Sequence, residues 1–136
     1  IASDHAGYIL KRHLCTFLQK NGYEVIDLGP DSEAPVDYPD YAHKLAGQID
    51  EQNFGIAICG SGIGIGIALN RHRNIRAAMC WNSEIAVLSR HHNNANVCVL
   101  PGRFLSLNDS ESIVTNFLNS HFEGGRHKMR VEKINP

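Results

Sequence analysis

Residues 54–71 read FGIAICGSGIGIGIALNR, and this stretch combines the features of a buried strand, a glycine-rich turn and a helix. The run that ends at Cys59 is short and apolar, like the strands of a parallel sheet that is covered on both faces. Glycine then occupies every second position from 60 to 66, before an apolar segment follows. Because glycine permits positive φ and a close approach of the backbone, the turn predicts a binding site for an anion.

The strand-then-helix order of this stretch repeats along the chain. Apolar runs predict five strands, over residues 1–4, 23–29, 54–59, 75–81 and 95–101. Apolar residues at helical spacing predict helices over residues 7–22, 40–52, 66–72, 83–92 and 110–122, with Ser83 as the cap of the fourth helix and Ser106, Asn108 or Asp109 as the cap of the fifth. Strict alternation of strands and helices implies βαβ units. The sequence therefore predicts one α/β domain over residues 1–136, a Rossmann-like three-layer α/β/α architecture with a five-stranded parallel sheet.

The composition bounds the partners of this domain. The chain has 136 residues, of which 43% are hydrophobic and 20% are charged, and its formal net charge is -1. This balance favours neither nucleic acid nor an anionic membrane surface as a partner. No apolar run approaches the roughly 20 residues that span a bilayer, and no charged-then-apolar leader is present. We therefore expect a cytoplasmic protein with no nucleic-acid or membrane partner.

The cysteines and histidines do not form a ligand pattern along the sequence. Cys15, Cys59, Cys80 and Cys98 include no C-x-x-C pair, so we expect four free thiols. His91 and His92 are adjacent, and adjacent side chains on a helix point about 100° apart. The sequence therefore predicts neither disulfides nor a metal site.

Polar residues follow the predicted strands at their carboxyl ends, where ligands bind in open parallel sheets. These residues are Asp4 and His5, Asp37 and Tyr38, the segment 59–64, Asn82, and Arg103. Because these strand ends meet at one edge of the sheet, we expect the ligand site there.

The glycine turn fits neither of the common nucleotide motifs. The dinucleotide fingerprint requires a small residue five positions after its first glycine, and here those positions hold Ile65, Ile67 and Leu69. The Walker loop requires two glycines five apart, which glycines at even spacing cannot supply. What remains is a turn whose backbone N–H groups suit an oxyanion, so no nucleotide cofactor is expected.

Cys59 lies directly before this turn, and two interpretations of it compete. Free cysteine is usually a small buried apolar residue, which is the interpretation we favour for the other three cysteines. A helix N-terminus, however, favours the thiolate, so Cys59 is predicted to accept a proton. Moving a carbonyl between adjacent sugar carbons requires such a base, donors for the enediolate oxyanion, an acid/base for ring opening and an anchor. Cys59, the turn with Ser61, a histidine and a cationic cluster supply these four.

Five segments then point to one family. SDHAG at 3–7, DYPDYA at 37–42, CGSGIGIGIALNR at 59–71, SRHHNNAN at 89–96 and EGGRHKMRVEKI at 123–134 closely resemble the type B ribose-5-phosphate isomerases. More broadly, they resemble the sugar-phosphate isomerases that include the galactose-6-phosphate and allose-6-phosphate enzymes. The resemblance covers essentially the whole chain, with the five segments in order.

The resemblance implies an aldose–ketose isomerase of the pentose phosphate pathway that interconverts ribose 5-phosphate and ribulose 5-phosphate without metal or cofactor. Its implied catalytic residues are Cys59 as the base, His92 for ring opening, Ser61 beside the substrate oxygens, and Asp4. The implied oxyanion donors are the backbone N–H groups of Gly60, Ser61, Gly62, Ile63 and Gly64. The implied sugar contacts are Asp4, His5, Tyr38 and Asn93, and the implied phosphate contacts are Arg103, Arg126, His127 and Arg130. The resemblance also implies a homodimer or higher homo-oligomer with shared active sites, in which the basic tail of about 123–136 reaches a neighbouring subunit.

Other interpretations of these residues stay open at the level of sequence. Asp4 can cap the first helix, and His5 and His92 are individually ordinary surface or core histidines. Tyr38 can be a packing residue, and a basic tail is usually a solvated segment. The substrate can also be allose 6-phosphate or galactose 6-phosphate. A non-catalytic phosphate-binding sensor, with Cys59 as a redox-sensitive thiol, is the alternative of a different class.

Overall fold

The structure is a computed structural model that describes residues 1–136. Its four strands are β1 (Ala2–Ser3), β2 (Gly55–Cys59), β3 (Ala77–Met79) and β4 (Val97–Pro101). Its six α-helices are α1 (Tyr8–Lys20), α2 (Tyr38–Ala46), α3 (Ile63–Leu69), α4 (Ser83–Asn93), α5 (Leu107–Asn119) and α6 (Lys128–Glu132). Two 3-10 turns, His5–Gly7 and Gly125–His127, precede α1 and α6. None of the helices combines the length and the apolar character needed to cross a bilayer.

The four strands form one parallel sheet in the order β1-β2-β4-β3. In its centre Gly55 pairs with Val97 and Cys59 pairs with Pro101, so β2 and β4 run side by side over their full length. Every residue of these two strands is buried. This explains why both strands are continuously apolar in sequence, since a sheet covered on both faces has no polar side.

Successive residues of β2 and β4 point to opposite faces, and each face has its own apolar core. Ile56 and Ile58 pack with residues of α1, α4 and α5. Ala57 and Cys59 pack with residues of α2 and α3. The predicted three-layer α/β/α architecture is thereby confirmed, and Cys59 belongs to the face that α2 and α3 cover.

The prediction of five strands was wrong, because residues 23–29 do not form a strand. The segment runs beside β1, with Ile26 O accepting from the Ile1 amino group at 2.8 Å, Leu28 N donating to Ile1 O at 2.9 Å and Ser3 N donating to Gly29 O at 3.1 Å. Only the two residues of β1 offer regular pairing there, so the ladder is too short to form a strand. Tyr23 and Ile26 are correspondingly exposed.

A buried ion pair holds this edge segment to α1. Lys11 is fully buried, and its Nζ donates to both carboxylate oxygens of Asp27 at 2.5 Å. Burial acts to raise the pKa of Asp27, but the hydrogen bonds from Lys11 and from the Gly29 N–H outweigh it and lower that pKa. Lys11 therefore lies inside the core with its charge paired, whereas Asp27 is partly exposed at the edge of the core.

Four helices begin at other residues than predicted: α1 at Tyr8 and not 7, α2 at Tyr38 and not 40, α3 at Ile63 and not 66, and α5 at Leu107 and not 110. Helix α3 begins at Ile63, three residues before the predicted 66, because the preceding Gly62 adopts the left-handed conformation that ends the turn. Helix α4 is capped by Asn82 and not by Ser83, since Asn82 Oδ1 accepts from Ile85 N at 2.8 Å. For α5, Ser106 is the cap among the three candidates. The four cysteines are free, as predicted.

Candidate active site

Cys59 is the last residue of β2 and marks the point where the sheet meets the glycine turn. It is only 4% exposed. Its carbonyl accepts from Gly102 N at 2.9 Å, which fixes the end of β2 against the loop that follows β4. The position of the thiol is therefore set by the backbone of the central strands.

The turn after Cys59 depends on glycine at position 62. Gly62 has φ 75°, a conformation that side-chain-bearing residues rarely adopt. A Cβ atom there would lie 2.7 Å from Met79 Cε and 3.2 Å from the carbonyl carbon of Leu100. Both the conformation and the packing require glycine, which is the close approach that the sequence predicted.

The turn leaves several backbone donors free beside Cys59. The N–H groups of Gly60, Ser61, Gly62 and Gly64 have no acceptor in the chain. The N–H of Ile63 has only a 3.3 Å contact with Ser61 Oγ. Backbone donors are almost always paired in folded proteins, so a group of unpaired ones next to a thiol is suited to hold an oxyanion.

Asp4 and His5 lie beside this turn, after β1. Asp4 N donates to Ile58 O at 3.0 Å, and Asp4 Oδ1 accepts from Gly7 N at 3.0 Å. Asp4 is thus the cap of the 3-10 turn that leads into α1, one of the two roles that the sequence left open. His5 Nδ1 lies 3.2 Å from both the backbone N and the backbone O of Val36, and so joins the loop before α2 to the site.

Tyr38 and Arg103 cover the turn from two other elements. A Cβ atom at Gly64 would lie 2.6 Å from Tyr38 Cζ, so the tyrosine ring rests directly on the glycine backbone. A Cβ atom at Gly60 would lie 3.4 Å from the Arg103 guanidinium, and Arg103 N donates to Gly60 O at 3.0 Å. Together with Asp4, His5 and residues 59–64, they form what we call the turn cluster.

The remaining predicted residues gather elsewhere, at the end of α4 and in the C-terminal segment. The rings of His92 and His127 stack with centroids 4.3 Å apart and planes 9° apart. Asn93 follows His92 as the last residue of α4. Arg126 and Arg130 flank His127 in the 3-10 turn and α6. These five residues are called the tail cluster below.

The tail cluster has its own electrostatics. Partial burial, with the neighbouring charges of His92, Arg126 and Arg130, lowers the pKa of His127, while Glu123 acts to raise it. His127 is therefore held in its neutral form near pH 7. Arg126 and Arg130 are exposed and form no ion pair with a carboxylate.

Glu123 and His91 attach the tail to α4, and sequence reasoning assigned neither of them a role. Glu123 N donates to His91 O at 3.1 Å, and a Glu123 carboxylate oxygen lies 3.2 Å from His91 Nδ1. One ligand atom each from His92, Glu123 and His127 lie within 4.8 Å of one another. Glu123 is distant from His92 in sequence, so residue spacing carried no signal for this grouping.

Within one chain, the two clusters lie at opposite ends of the sheet. Helix α4 begins at the carboxyl end of β3 and ends at Asn93, and the chain then enters β4 at Val97. The four steps from Val97 to Pro101, which pairs with Cys59, span about 13 Å. The structure thus brings the predicted residues together in two groups, and not in one.

The comparisons with known proteins extend over nearly the whole chain. A family model described as Ribose/Galactose Isomerase matches residues 1–134. A probable ribose-5-phosphate isomerase B of Mycoplasma pneumoniae is 45% identical over 137 residues, which cover 98% of this chain and 90% of that protein.

Two solved structures are similar over nearly the whole chain. A ribose 5-phosphate isomerase of Thermotoga maritima has a TM-score of 0.95 and 49% identity, over 98% of this chain and 93% of that one. A ribose-5-phosphate isomerase B of Mycoplasma genitalium, solved with bound ribulose-5-phosphate, has a TM-score of 0.93 and 40% identity, over 98% and 90% of the two chains. The resemblance predicted from five sequence segments is confirmed, and the chain belongs to the ribose/galactose isomerase family.

Proposed function

We propose that this protein interconverts ribose 5-phosphate and ribulose 5-phosphate as an aldose–ketose isomerase of the pentose phosphate pathway. The observation that carries the proposal is the buried Cys59 beside a turn with free backbone N–H groups. The full-length similarity to ribose-5-phosphate isomerases, one of them holding ribulose-5-phosphate, supports the same substrate.

The chemistry needs a proton to move between two carbon atoms. In this proposal, the Cys59 thiolate takes the proton from C2 of the open-chain aldose, and the C2–C1 bond gains double-bond character as an enediolate forms. The resulting thiol then returns the proton to C1, while the proton of the C2 hydroxyl passes to the C1 oxygen, so that C1 carries a hydroxyl and the C2 oxygen becomes the ketone. The N–H groups of residues 60–64 hold the oxyanion, and Ser61 lies next to the same oxygens.

The side chains of the turn cluster complete the sugar site. Asp4, with its second carboxylate oxygen, and His5 contact the sugar hydroxyls, and Tyr38 covers the sugar from the α2 side. Arg103, whose guanidinium lies over Gly60, contacts a phosphate oxygen. This assignment leaves ring opening and most of the phosphate charge to other residues.

The tail cluster supplies those functions from a second copy of the chain. His92 opens the sugar ring with Asn93 beside it, and Arg126, His127 and Arg130 bind the phosphate. Because both clusters of one chain are separated by the sheet, we propose a homodimer or higher homo-oligomer in which the tail of about 123–136 reaches the turn cluster of its neighbour. The exposed apolar side chains of Ile63, Ile67 and Phe104 around the turn support such an interface.

A cytoplasmic location is part of the proposal. Four free cysteines, including the proposed base, favour a compartment that keeps thiols reduced. Sugar phosphates are charged metabolites of the same compartment.

The first experiment measures the interconversion of ribose 5-phosphate and ribulose 5-phosphate by the purified protein. Cys59→Ala is expected to abolish turnover, while Cys15→Ser, a cysteine away from the turn, retains it. Allose 6-phosphate and galactose 6-phosphate are assayed in parallel to define the preferred substrate. Turnover of no sugar phosphate by folded protein, with binding retained, would contradict the proposal and favour the phosphate sensor.

A mixing experiment tests the shared site. Cys59→Ala and His92→Ala are each expected to be inactive alone. In a dimer with shared sites, subunit exchange between them regenerates one intact site per mixed dimer, or about a quarter of the original activity. If the mixture remains inactive although subunits exchange, both clusters must act within one chain.

A further inference from the structure

His92, Glu123 and His127 together present three metal-ligand groups, one more than the two histidines of the tail cluster. Their ligand atoms lie within 4.8 Å of one another, although they come from three parts of the chain: the last turn of α4, the segment after α5 and the second 3-10 turn. Two imidazole nitrogens and a carboxylate oxygen are a donor set typical of Zn²⁺ and related divalent ions, with a fourth position left open.

The surroundings keep these three groups near one another. His127 is buried, so its ring stays at the site and can only tilt within it. Glu123 is attached through its backbone N–H to His91 O at 3.1 Å, and its carboxylate lies beside His91 Nδ1. Such contacts behind a ligand restrict its orientation and raise metal affinity.

We propose that His92, Glu123 and His127 bind a divalent transition-metal ion of the Zn²⁺ type. The histidine rings are nearly parallel, at 9°, so both must tilt for their lone pairs to converge on the ion. Arg126 and Arg130 add positive charge nearby, which lowers the affinity for any cation. Metal binding is therefore reversible: the site takes up the ion when metal is supplied and releases it to a chelator.

The consequence for activity rests on the proposed function. A metal-bound imidazole nitrogen has no lone pair left to exchange a proton with the sugar. Because His92 is assigned to ring opening, the bound ion inhibits the isomerase, and a chelator restores it.

The test measures metal binding directly, without reference to activity. Purified protein is stripped with a chelator, and Zn²⁺ is titrated in competition with a chromogenic chelator. Co²⁺ is used in parallel, because its visible absorption reports the number and kind of its ligands. Glu123→Gln is expected to weaken binding at least about tenfold, since even partners behind a ligand are worth 10–100-fold.

Two matched controls come from the same chain. Glu111 contacts a single histidine, His13, at 2.7 Å, so Glu111→Gln is expected to leave binding unchanged. His43 Nδ1 and His72 Nε2 lie 2.8 Å apart without a third ligand in reach, and this pair could hold metal weakly. The titrations are therefore carried out in a His43→Asn background, where the strong binding event must persist.

The outcomes separate this proposal from the proposed function. Equal Zn²⁺ affinity of the Glu123→Gln and Glu111→Gln proteins, or no binding above that of a His92→Ala variant, overturns the metal site even if the enzyme is active. Metal binding that depends on Glu123, in a protein that turns over no sugar phosphate, supports the site while the proposed function fails.

Discussion

The turn cluster and the tail cluster are held in place by different means. The turn cluster is built from backbone: Cys59 ends a fully buried strand, and Gly62 packs against Met79 and Leu100. The tail cluster is held mainly by side chains, with one stacked ring pair and the contact of the Glu123 carboxylate with His91 Nδ1. Changes in the turn cluster should alter folding and function together, whereas changes in the tail cluster should alter function with little effect on folding.

Gly62→Ala is the strongest test of this difference. Alanine at φ 75° costs about 1–2 kcal/mol, and its Cβ would lie 3.2 Å from the backbone carbonyl carbon of Leu100, which cannot move aside as the Met79 side chain can, so the tight contact adds about 1 kcal/mol. We expect the free energy of unfolding to fall by about 2–3 kcal/mol and the isomerase activity to be lost, as measured by denaturant titration and by assay.

Gly66→Ala is the matched control for this change. Its Cβ would meet only the Val99 methyl groups, at 3.7 and 3.8 Å, within a helix. Alanine is favoured over glycine there, so this variant should be as stable as the unchanged protein or more so, by about 0.5–1 kcal/mol. Equal losses in the two variants would show that the turn at position 62 is not special.

Asp27→Asn tests the ion pair between Asp27 and Lys11, at the edge of the buried core. It leaves the charge of the fully buried Lys11 without a counter-charge. Because the Asp27 side chain is 37% exposed, solvent screens part of the pair, and we expect a loss of about 2 kcal/mol in the free energy of unfolding. Lys11→Met, which removes the buried charge itself, should cost less.

The same pair gives a pH dependence with a defined sign. The pKa of Asp27 is lower in the folded protein than its ordinary value of 3.8. Its contribution to stability is therefore present above pH 3.8 and is lost as the pH falls through the folded pKa. Acid denaturation below this pH should be less steep in Asp27→Asn, and identical profiles would contradict the assignment.

Gly64→Ala carries a smaller cost, because its Cβ would meet a side chain and not backbone. The Cβ would lie 2.6 Å from Tyr38 Cζ, and Tyr38 is 39% exposed and able to move. We expect about 1 kcal/mol of destabilisation, together with loss of activity as Tyr38 is displaced over the sugar site. In the double variant with Tyr38→Ala, the stability cost of Gly64→Ala should disappear, and additive costs would show that the two residues do not touch.

The sequence predicted the strand and the glycine turn at the centre of the turn cluster because local rules govern them. A buried strand, a glycine turn and a following helix succeed one another in residues 54–71, so Cys59 and the donors of the turn follow from neighbouring positions. The missing fifth strand shows the limit of the same rules. Residues 23–29 have the apolar pattern of a strand, but the length of the partner they meet decides whether a ladder forms.

The tail cluster could not be assembled from the sequence alone. His91 and His92 gave no ligand pattern along α4, and Glu123, which joins His92 and His127 in the group of metal-ligand atoms, lies in the irregular segment between α5 and the second 3-10 turn. The separation of this cluster from Cys59 follows from the βαβ topology, in which α4 runs from the carboxyl ends of the strands to their amino ends, and the family motifs alone did not show it. The family motifs identified the residues, and the topology of the sheet places them in two clusters at its opposite ends.

His127→Gln is expected to have the smallest effect on folding, and its pH dependence tests the electrostatics of the tail. Since the pKa of His127 is lowered from 6.5 in the folded protein, the unfolded chain binds the proton more readily. The unchanged protein should therefore lose stability relative to His127→Gln as the pH falls below 6.5, while the two are nearly equal at pH 8. Denaturant titrations at both pH values measure this, and a raised KM at pH 8 would accompany it if His127 binds the phosphate.

Arg130→Gln removes one of the charges that lower this pKa, so it should reduce the stability loss at acid pH. If Arg130→Gln leaves that loss unchanged, Arg130 does not act on His127, and burial with the charges of His92 and Arg126 accounts for the lowered pKa.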